Sequence, residues 1–219
     1  MARPVFWRSG AAETAAPRIA HLDHDRHLVE AARRDPERFE ALYRRYLAPV
    51  YSFAYYELGD HHAAEDATER TFLAALANLH RFDERARPAD GAGASTFKVW
   101  LFRIARNVVA NERRSARRHP AAVLDDATAA IVADPLDVEG DAVRRDEAAA
   151  AWRAVGRLPG DRRRAVVLRF VDELSTAEIA GVLGRSEGAV RVLIHRALRT
   201  VARDLRAGDA RVSNRGGGR

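Results

Sequence analysis

Cysteine is absent from this chain of 219 residues, and lysine occurs only once, at Lys98. Without cysteine the protein has no disulfide bonds, thiolate metal sites or cysteine nucleophiles, and the composition fits a reducing cytoplasm. The eight histidines are scattered, except for the adjacent pair His61 and His62, which point in different directions on a helix. We therefore expect neither a metal site nor a cofactor.

Long apolar runs and catalytic motifs are missing as well. No apolar stretch is long enough to span a membrane, and the N-terminus lacks the continuous apolar core of a secretory signal. The Gly216-Gly217-Gly218 triplet lies in a terminal tail, and no serine lies in a nucleophile elbow. The sequence predicts a cytoplasmic protein without enzymatic activity or membrane insertion, and its arginine and alanine bias is typical of a GC-rich bacterium.

The charge and apolar content point to a folded protein with an anionic partner. Hydrophobic residues make up 47% of the chain, enough for one or two compact domains with a core. The formal net charge is +6. A basic balance suits a polyanion, although alone it is weak evidence for nucleic acid.

The segment Leu174–Leu205 has the pattern of a helix-turn-helix motif. Ser175 and Glu178 form a capping box at the start of its first helix, and Gly184 is suited to the left-handed turn that ends it. Ser186 can cap the second helix. The inward-facing residues of the first helix are predicted to be Ile179, Ala180 and Leu183.

The second helix of this motif combines an apolar stripe with a basic face. The stripe consists of Val190, Ile194, Ala197, Leu198, Val201 and Leu205. Arg191, His195, Arg196 and Arg199 lie on the other face, where a recognition helix contacts bases and phosphates. The pattern predicts DNA binding; the alternative is an ordinary helical hairpin with a solvated basic face.

The chain as a whole is predicted to be all-α, with two helical domains joined by a flexible acidic linker. We expect a disordered extension over residues 1–24, a first domain over 25–120, a linker over 121–147, a second domain over 148–207 and a disordered tail over 208–219. The linker holds eight acidic residues against two arginines. Two modules on such a tether can bind two sites together.

Apolar stripes locate the helices within each domain. In the first domain they are Phe39, Leu42, Tyr43, Tyr46, Val50 and Phe53; Phe72, Ala75, Leu76 and Leu79; and Phe97, Trp100, Leu101, Ile104 and Val108. In the second domain, before the helix-turn-helix, they are Ala151, Trp152, Val155 and Leu158, followed by Val167, Phe170 and Val171. Pro49 either kinks its helix or opens a new one, Thr96 can cap the third helix, and residues 83–95 form a loop.

Four phrases of the sequence carry a family resemblance. They are DPERFEALYRRYLAPVYSFA (Asp35–Ala54), AEDATERTFLAAL (Ala64–Leu76), TFKVWLFRIARNVVANERR (Thr96–Arg114) and LPGDRRRAVVLRFVDELSTAEIAGVLGRSEGAVRVLIHRALR (Leu158–Arg199). In this order and spacing the chain resembles the extracytoplasmic-function sigma factors of bacterial RNA polymerase, over most of its length.

The resemblance implies an initiation subunit that binds core RNA polymerase and promoter DNA, both double- and single-stranded, and helps melt the DNA. For the upstream (−35) element it implies Arg185, Ser186, Glu187, Arg191, His195, Arg196 and Arg199. For the −10 element and melting it implies Lys98, Trp100, Arg103, Arg106, Asn107, Asn111, Arg113, Arg114 and Arg117. For core polymerase it implies Glu65, Asp66, Glu69, Arg70 and Phe72.

The resemblance also assigns tasks to the connecting segments. The loop 83–95 corresponds to one that holds a flipped-out base, and the linker would thread the active-site and RNA-exit channels of the polymerase. An anti-sigma factor is a further possible partner.

Three departures from the family pattern stand beside these assignments. Glu69-Arg70 replaces a common Gln-Glu pair, the loop 83–95 is somewhat long, and Val192 and Leu193 replace polar residues of the recognition helix. The alternative function is a helix-turn-helix regulator that never joins polymerase, which would leave the first domain unexplained. A nucleic-acid-processing enzyme is a third class, disfavoured because neither a metal-ligand cluster nor a phosphate loop is present.

Overall fold

The computed structural model describes residues 24–86, 95–118 and 150–216, with the backbone alone at residue 117 and at 208–216. All regular secondary structure in these ranges is helical, which confirms the predicted all-α class. The predicted extension over residues 1–24, apart from its last residue, and the predicted linker lie outside the described residues.

The described residues of the first domain form four α-helices: α1 (Arg26–Arg34), α2 (Phe39–Leu58), α3 (His61–Asn78) and α4 (Phe97–Arg118). Short 3₁₀ turns, Pro36–Arg38 and Leu79–Arg81, precede α2 and follow α3. Gly59 ends α2 with a left-handed φ of 76°, and the Asp60 carboxylate accepts a hydrogen bond from the Ala63 N–H (2.7 Å) to cap α3. Pro49 lies inside α2, which continues through it.

The second domain contains α5 (residues 150–156), α6 (Gly160–Phe170), α7 (Thr176–Leu183) and α8 (Glu187–Gly216). Both hydrogen bonds of the predicted capping box are present, from Glu178 N–H to the Ser175 hydroxyl (3.2 Å) and from Ser175 N–H to the Glu178 carboxylate (2.8 Å). Gly184 has the predicted left-handed conformation, with φ 65°. The Ser186 hydroxyl accepts from Ala189 N–H, so it caps α8 as predicted.

The C-terminal boundary of α8 differs from the prediction. Residues 208–216, expected in a disordered tail, continue the helix to Gly216. The segment after Leu205 contains no proline, and its arginine and alanine residues favour helix. Gly208 alone does not interrupt the hydrogen-bonded backbone.

Most of the predicted apolar stripes are buried. Leu42, Val50 and Phe53 of α2, Phe97 and Leu101 of α4, and Val190 and Ala197 of α8 are inaccessible to solvent. Four predicted stripe residues are instead exposed: Tyr43, Leu76, Phe170 and Leu198. A stripe marks the apolar face of a helix, but these four lie at edges of that face that no neighbouring helix covers.

The two domains are packed against each other. One apolar cluster runs through both, from Val29 on α1 to Val190 on α8, and a smaller one joins α5, α6 and α8. The most extensive contact between the domains is α4 against α7, and the rings of Tyr56 and Trp152 also meet, with centroids 4.6 Å apart. The helices of the two domains thus share one core, which the sequence did not predict.

Candidate nucleic-acid interface

The N-terminal half of α8 carries an exposed polar face. Arg191, His195, Arg196 and Arg199 are exposed as predicted, while Val190 and Ala197 anchor the opposite side of the helix. At the start of the helix Glu187 pairs with Arg191 (3.6 Å), and Arg185 pairs with Asp161 (2.8 Å). This face has the shape and charge of a recognition helix for a DNA groove.

A cationic groove continues along α8 beyond the residues that the sequence singled out. It has a volume of about 620 Å³, and its arginines are Arg162 of α6 and Arg196, Arg199, Arg203 and Arg206 of α8. The four from α8 recur at helical spacing, so they form one row. Among the groove arginines of the described part, ion pairing is confined to Arg203, which contacts Asp204 (3.5 Å). Such a row suits a chain of phosphates.

The residues predicted for the −10 element lie along α4, but their surroundings differ from one residue to the next. Arg103, Asn107, Asn111 and Arg114 are exposed, and Arg114 donates a hydrogen bond to Asn111. Lys98 and Arg106 are half-buried. The backbone of Arg117 lies in α4, and its side chain lies outside the described part.

Trp100 is built into the edge of the first domain's core. Its ring lies 5.3 Å from that of Phe82 and 5.6 Å from that of Phe97, and the residue is half-buried. The sequence placed Trp100 on the apolar stripe, and packing against these rings agrees with that position. Part of the residue stays accessible to solvent.

Two of the predicted DNA-contacting arginines bind the second domain. The Nε of Arg103 donates to the carbonyl oxygen of Gly181 (2.6 Å), and an Nη of Arg106 donates to that of Val182 (3.0 Å). Both carbonyls belong to the last turn of α7, where the carbonyl oxygens of an α-helix have no N–H partner within the helix. The arginines thus complete the C-terminal end of α7.

A buried carboxylate connects the domains at a second point. Glu57, near the end of α2, has a fully buried side chain. Arg163 and Arg164 of α6 each reach it with Nε–oxygen distances of 3.2 Å, and Arg113 of α4 contacts it at 3.2 Å. Arg113, predicted to face the −10 element, is therefore engaged inside the protein. Neither Glu57 nor its partners gave a local sequence signal, since Arg163 follows 106 residues later.

Asp172, in the turn between α6 and α7, is a second buried acid at the domain boundary. Only 7% of the residue is exposed, and its carboxylate oxygens have no hydrogen-bond partner in the described part. Burial raises the pKa of Asp172 well above its ordinary value, and the positive charge of Lys98 on α4 offsets part of that rise. The sole lysine thus faces an acid of the other domain.

An apolar groove between α2 and α3 lies beside the residues predicted to bind polymerase. Its volume is about 430 Å³, and its exposed apolar side chains are Tyr43, Leu47, Leu73 and Leu76. The predicted residues Glu65, Asp66 and Glu69 are exposed. The apolar stripes of the sequence include Tyr43 and Leu76 as core residues and do not include Leu47 or Leu73.

The other two residues predicted for polymerase binding are engaged within the first domain. Phe72 is buried and forms part of the floor of the groove. Arg70 is exposed, but it pairs with Glu112 of α4 and lies 4.0 Å from Asp66. Arg70 thus ties α3 to α4.

Glu84 closes the base of the loop 83–95, of which residues 87–94 lie outside the described part. One carboxylate oxygen accepts from the Ala86 N–H (3.0 Å), the Thr96 N–H (2.8 Å) and the Thr96 hydroxyl (2.9 Å). Burial acts to raise the pKa of Glu84, but hydrogen bonds from Ser95, Ala86 and Thr96 outweigh it and lower the pKa. The hydroxyl of Thr96, the predicted cap, donates to Glu84. The Ser95 hydroxyl accepts from Phe97 N–H instead.

The described helices include none that is both long and apolar enough to cross a membrane. Within the same ranges, histidines and carboxylates form no group of three or more that could hold a metal ion.

Comparison with known proteins shows which family the chain resembles. The models for sigma-70 region 2 and sigma-70 region 4 match residues 42–119 and 148–201. The ECF RNA polymerase sigma factor BldN of Streptomyces coelicolor is 38% identical over 183 residues, which cover 81% of this chain and 64% of that protein. The chain thus spans slightly less than two thirds of BldN.

Two further matches cover nearly the whole of the related protein. The ECF RNA polymerase sigma factor SigW of Bacillus subtilis is 31% identical over 183 residues, 78% of this chain and 92% of that protein. The structure of CnrH in complex with the cytosolic domain of CnrY gives a TM-score of 0.58 at 26% identity, covering 84% of this chain and 99% of CnrH. Two matching regions in order and a relative matched over nearly its full length show that the chain belongs to the ECF RNA polymerase sigma factors.

Proposed function

We propose that this sigma factor binds core RNA polymerase and directs it to promoters with two elements. The upstream element is read by α8, and the element near the start site is bound and melted with the help of α4. The observation that carries this proposal is the exposed basic face of α8, the second helix of a fully formed helix-turn-helix. The two-domain arrangement adds a second surface that a simple helix-turn-helix regulator does not need.

Upstream recognition is assigned to the N-terminal half of α8. Arg191 and His195 are placed to meet base edges, while Arg196 and Arg199 begin the cationic groove and meet phosphates. Ser186 and Glu187 fix the start of the helix, and Arg185 is held beside it by Asp161. Val192 is 47% exposed near the same face, where an apolar side chain can contact a thymine methyl group.

Binding near the start site is assigned to α4. Asn107, Asn111 and Arg114 are exposed and supply hydrogen-bond donors, and Trp100, which is half-buried, offers an aromatic ring for a base to stack on. Arg103 and Arg106 join this surface when they are released from α7. A flipped-out base would be held by the loop above Glu84.

Polymerase binding is assigned to the groove between α2 and α3. The groove exposes four large apolar side chains, and Glu65, Asp66 and Glu69 bring negative charge to its side. Exposed apolar surface of this kind marks a protein interface, and the acidic rim selects a partner with basic residues. An anti-sigma factor could compete for the same groove, as CnrH is found in complex with a domain of CnrY.

The test is assembly with bacterial core RNA polymerase on a gel-filtration column. Replacing both Leu73 and Leu76 with Ala removes exposed apolar surface without opening the core, so it should weaken assembly by at least about tenfold. Phe170→Ala is the matched control, because Phe170 is similarly exposed (52% against 58% for Leu73) but lies in the other domain. Unchanged assembly of the double variant would remove the groove from the polymerase interface.

A further inference from the structure

We propose that the free chain closes on itself, and that the C-terminal end of α7 occupies the part of α4 that binds DNA near the start site. The closed form must open before Arg103 and Arg106 can contact DNA. The occlusion rests on the proposed function of α4, whereas the closure itself does not. Three features of the contact between the domains support it.

The first feature is that α7 presents hydrogen-bond acceptors with partial negative charge to the arginines of α4. The carbonyl oxygens of Gly181 and Val182 accept hydrogen bonds from Arg103 and Arg106. The C-terminal end of a helix carries partial negative charge, which favours cations there. Two oxygens with that charge satisfy the guanidinium groups in the way that phosphate oxygens satisfy them in a DNA complex.

The second feature is the charge cluster around Glu57. Its buried carboxylate binds Arg113 of its own domain and Arg163 and Arg164 of the other. The cluster favours closure only while all its charges are paired, because a buried charge without a partner is costly. Opening the domains exposes these groups to water. Arg113 pairs with Glu57 inside the first domain, so closure itself engages two cations of α4, Arg103 and Arg106.

The third feature is the close fit between α4 and α7. A Cβ atom added at Gly181 would lie 2.7 Å from Cγ1 of Val99, so the contact has room for glycine alone. The other glycines of the second domain are different: at Gly160 and Gly188 an added Cβ would have no heavy atom within 4 Å. A side chain at position 181 would thus force Val99, or the contact between the domains, to shift.

Closure leaves the other two surfaces accessible. Arg191, His195, Arg196 and Arg199 of α8 remain exposed, and so do Leu73 and Leu76 of the apolar groove. The closed chain can therefore contact duplex DNA through α8 or a protein through the groove. It is the single-stranded DNA surface of α4 that closure restricts.

A reversible cross-link tests the closure directly. The added Cβ at Gly181 would lie 3.9 Å from the Cβ of Val99, and disulfides have Cβ separations of about 3.5–4.5 Å. Because the chain has no cysteine, the full-length double variant Val99→Cys/Gly181→Cys forms one possible intramolecular disulfide. We expect it to form under mild oxidation with copper phenanthroline and to break with dithiothreitol. Each single-cysteine variant serves as a control.

DNA binding of this variant tests the occlusion. The oxidised form should bind a labelled, mixed-sequence single-stranded 30-mer about tenfold more weakly than its reduced form, because two charge-assisted contacts are lost. Its affinity for a duplex of the same sequence should change less than about twofold, since α8 stays exposed. Single-strand affinity that does not depend on oxidation would overturn the occlusion.

The failures of the two ideas are distinguishable. If no disulfide forms in the monomer, the closed form itself is overturned, whatever the chain does with polymerase. If the disulfide forms but the reduced chain binds no single-stranded DNA, α4 is not a DNA surface and the occlusion is overturned, while closure stands.

An opening variant gives an independent reading. Gly181→Ala should separate the domains, because Val99 is β-branched and moves with difficulty, and the distance between dyes on the two domains should increase. Gly160→Ala makes the same change where there is space and should leave the distance unchanged. Equal distances in both variants would contradict the fit between α4 and α7.

Discussion

Glu57 shows how one side chain can join distant parts of a chain. Its carboxylate is fully buried and surrounded by three arginines from two helices of different domains. A buried charge is tolerated only when it is paired, and the loss of one member leaves the others in a medium that solvates them poorly. The free energy of unfolding therefore depends on Glu57 because its charge compensates those of the three arginines.

We expect Glu57→Gln to lower the free energy of unfolding by about 3 kcal/mol, because the buried arginines lose their counter-charge. Urea denaturation measures the change. Glu40→Gln is the control: Glu40 pairs with Arg44 at 2.6 Å, but both side chains are more than 60% exposed, so its loss should cost less than about 1 kcal/mol. Equal effects of the two variants would show that the cluster gives no net stabilisation.

Asp172 links the stability of the protein to pH. Burial raises its pKa well above the ordinary value, so the folded protein holds a proton that the unfolded chain releases. Its contribution to stability is fully present below the unfolded pKa. That contribution is lost as the pH rises through the raised, folded pKa.

Asp172→Asn should therefore stabilise the protein more at about pH 8 than at about pH 5, since asparagine never bears the buried charge. Thermal unfolding at both pH values measures the difference between variant and parent. Asp83→Asn, at a side chain that is 83% exposed, should give the same small change at both. A pH-independent gain for Asp172→Asn would contradict the assigned pKa.

At the scale of single helices, local sequence signals were sufficient in several places. The capping box of α7, the left-handed Gly184 and the Ser186 cap depend on residues within four positions of one another, so their pattern could be predicted from sequence. The end of α8 could not, because helix continuation past Gly208 has no comparable local marker. The groove residues Tyr43 and Leu76 were misassigned because burial depends on neighbouring helices.

The row of arginines on α8 leads to a prediction about salt. Arg196→Ala and Arg199→Ala should each lower DNA affinity and reduce the slope of log affinity against log salt by about 0.9, the value for one lost phosphate contact. Fluorescence anisotropy with duplex DNA at several salt concentrations measures the slope. Arg153→Ala removes the same charge from an exposed position on α5 and should leave it unchanged. A retained slope in Arg196→Ala or Arg199→Ala would remove that residue from the DNA surface.

Glu84 should hold together the two ends of the loop 83–95, at Ala86 and Thr96. Replacing Glu84 with Gln keeps the size of the side chain but weakens the three hydrogen bonds from Ala86 and Thr96, so their amides should exchange with solvent faster. In the parent, protection should fall as the pH drops through the lowered pKa of Glu84. Exchange rates equal to those of the parent would show that other contacts hold Ala86 and Thr96 in place.

At the scale of the whole molecule, the sequence identified two helical domains but not their contact. Arg103 and Gly181 are 78 positions apart, and Arg164 and Glu57 are 107 apart, so no periodicity or capping rule connects them. Exposed charge follows helical spacing, so the sequence could predict surfaces for DNA and polymerase, and these assignments stay predictions. Their state, open or occupied by the other domain, depends on packing that a linear pattern does not contain.

The scarcity of lysine gives the molecule a built-in reporter. Lys98 is the only side-chain amine in the chain, and it lies half-buried on α4 opposite Asp172 of the second domain. An isotope label on lysine therefore addresses one position, and an amine-selective reagent addresses one side chain besides the α-amine of the chain. That side chain lies at the boundary between the domains. Its acylation rate, or its single NMR resonance, follows the separation of the domains in an unmodified protein, before and after polymerase or DNA is added.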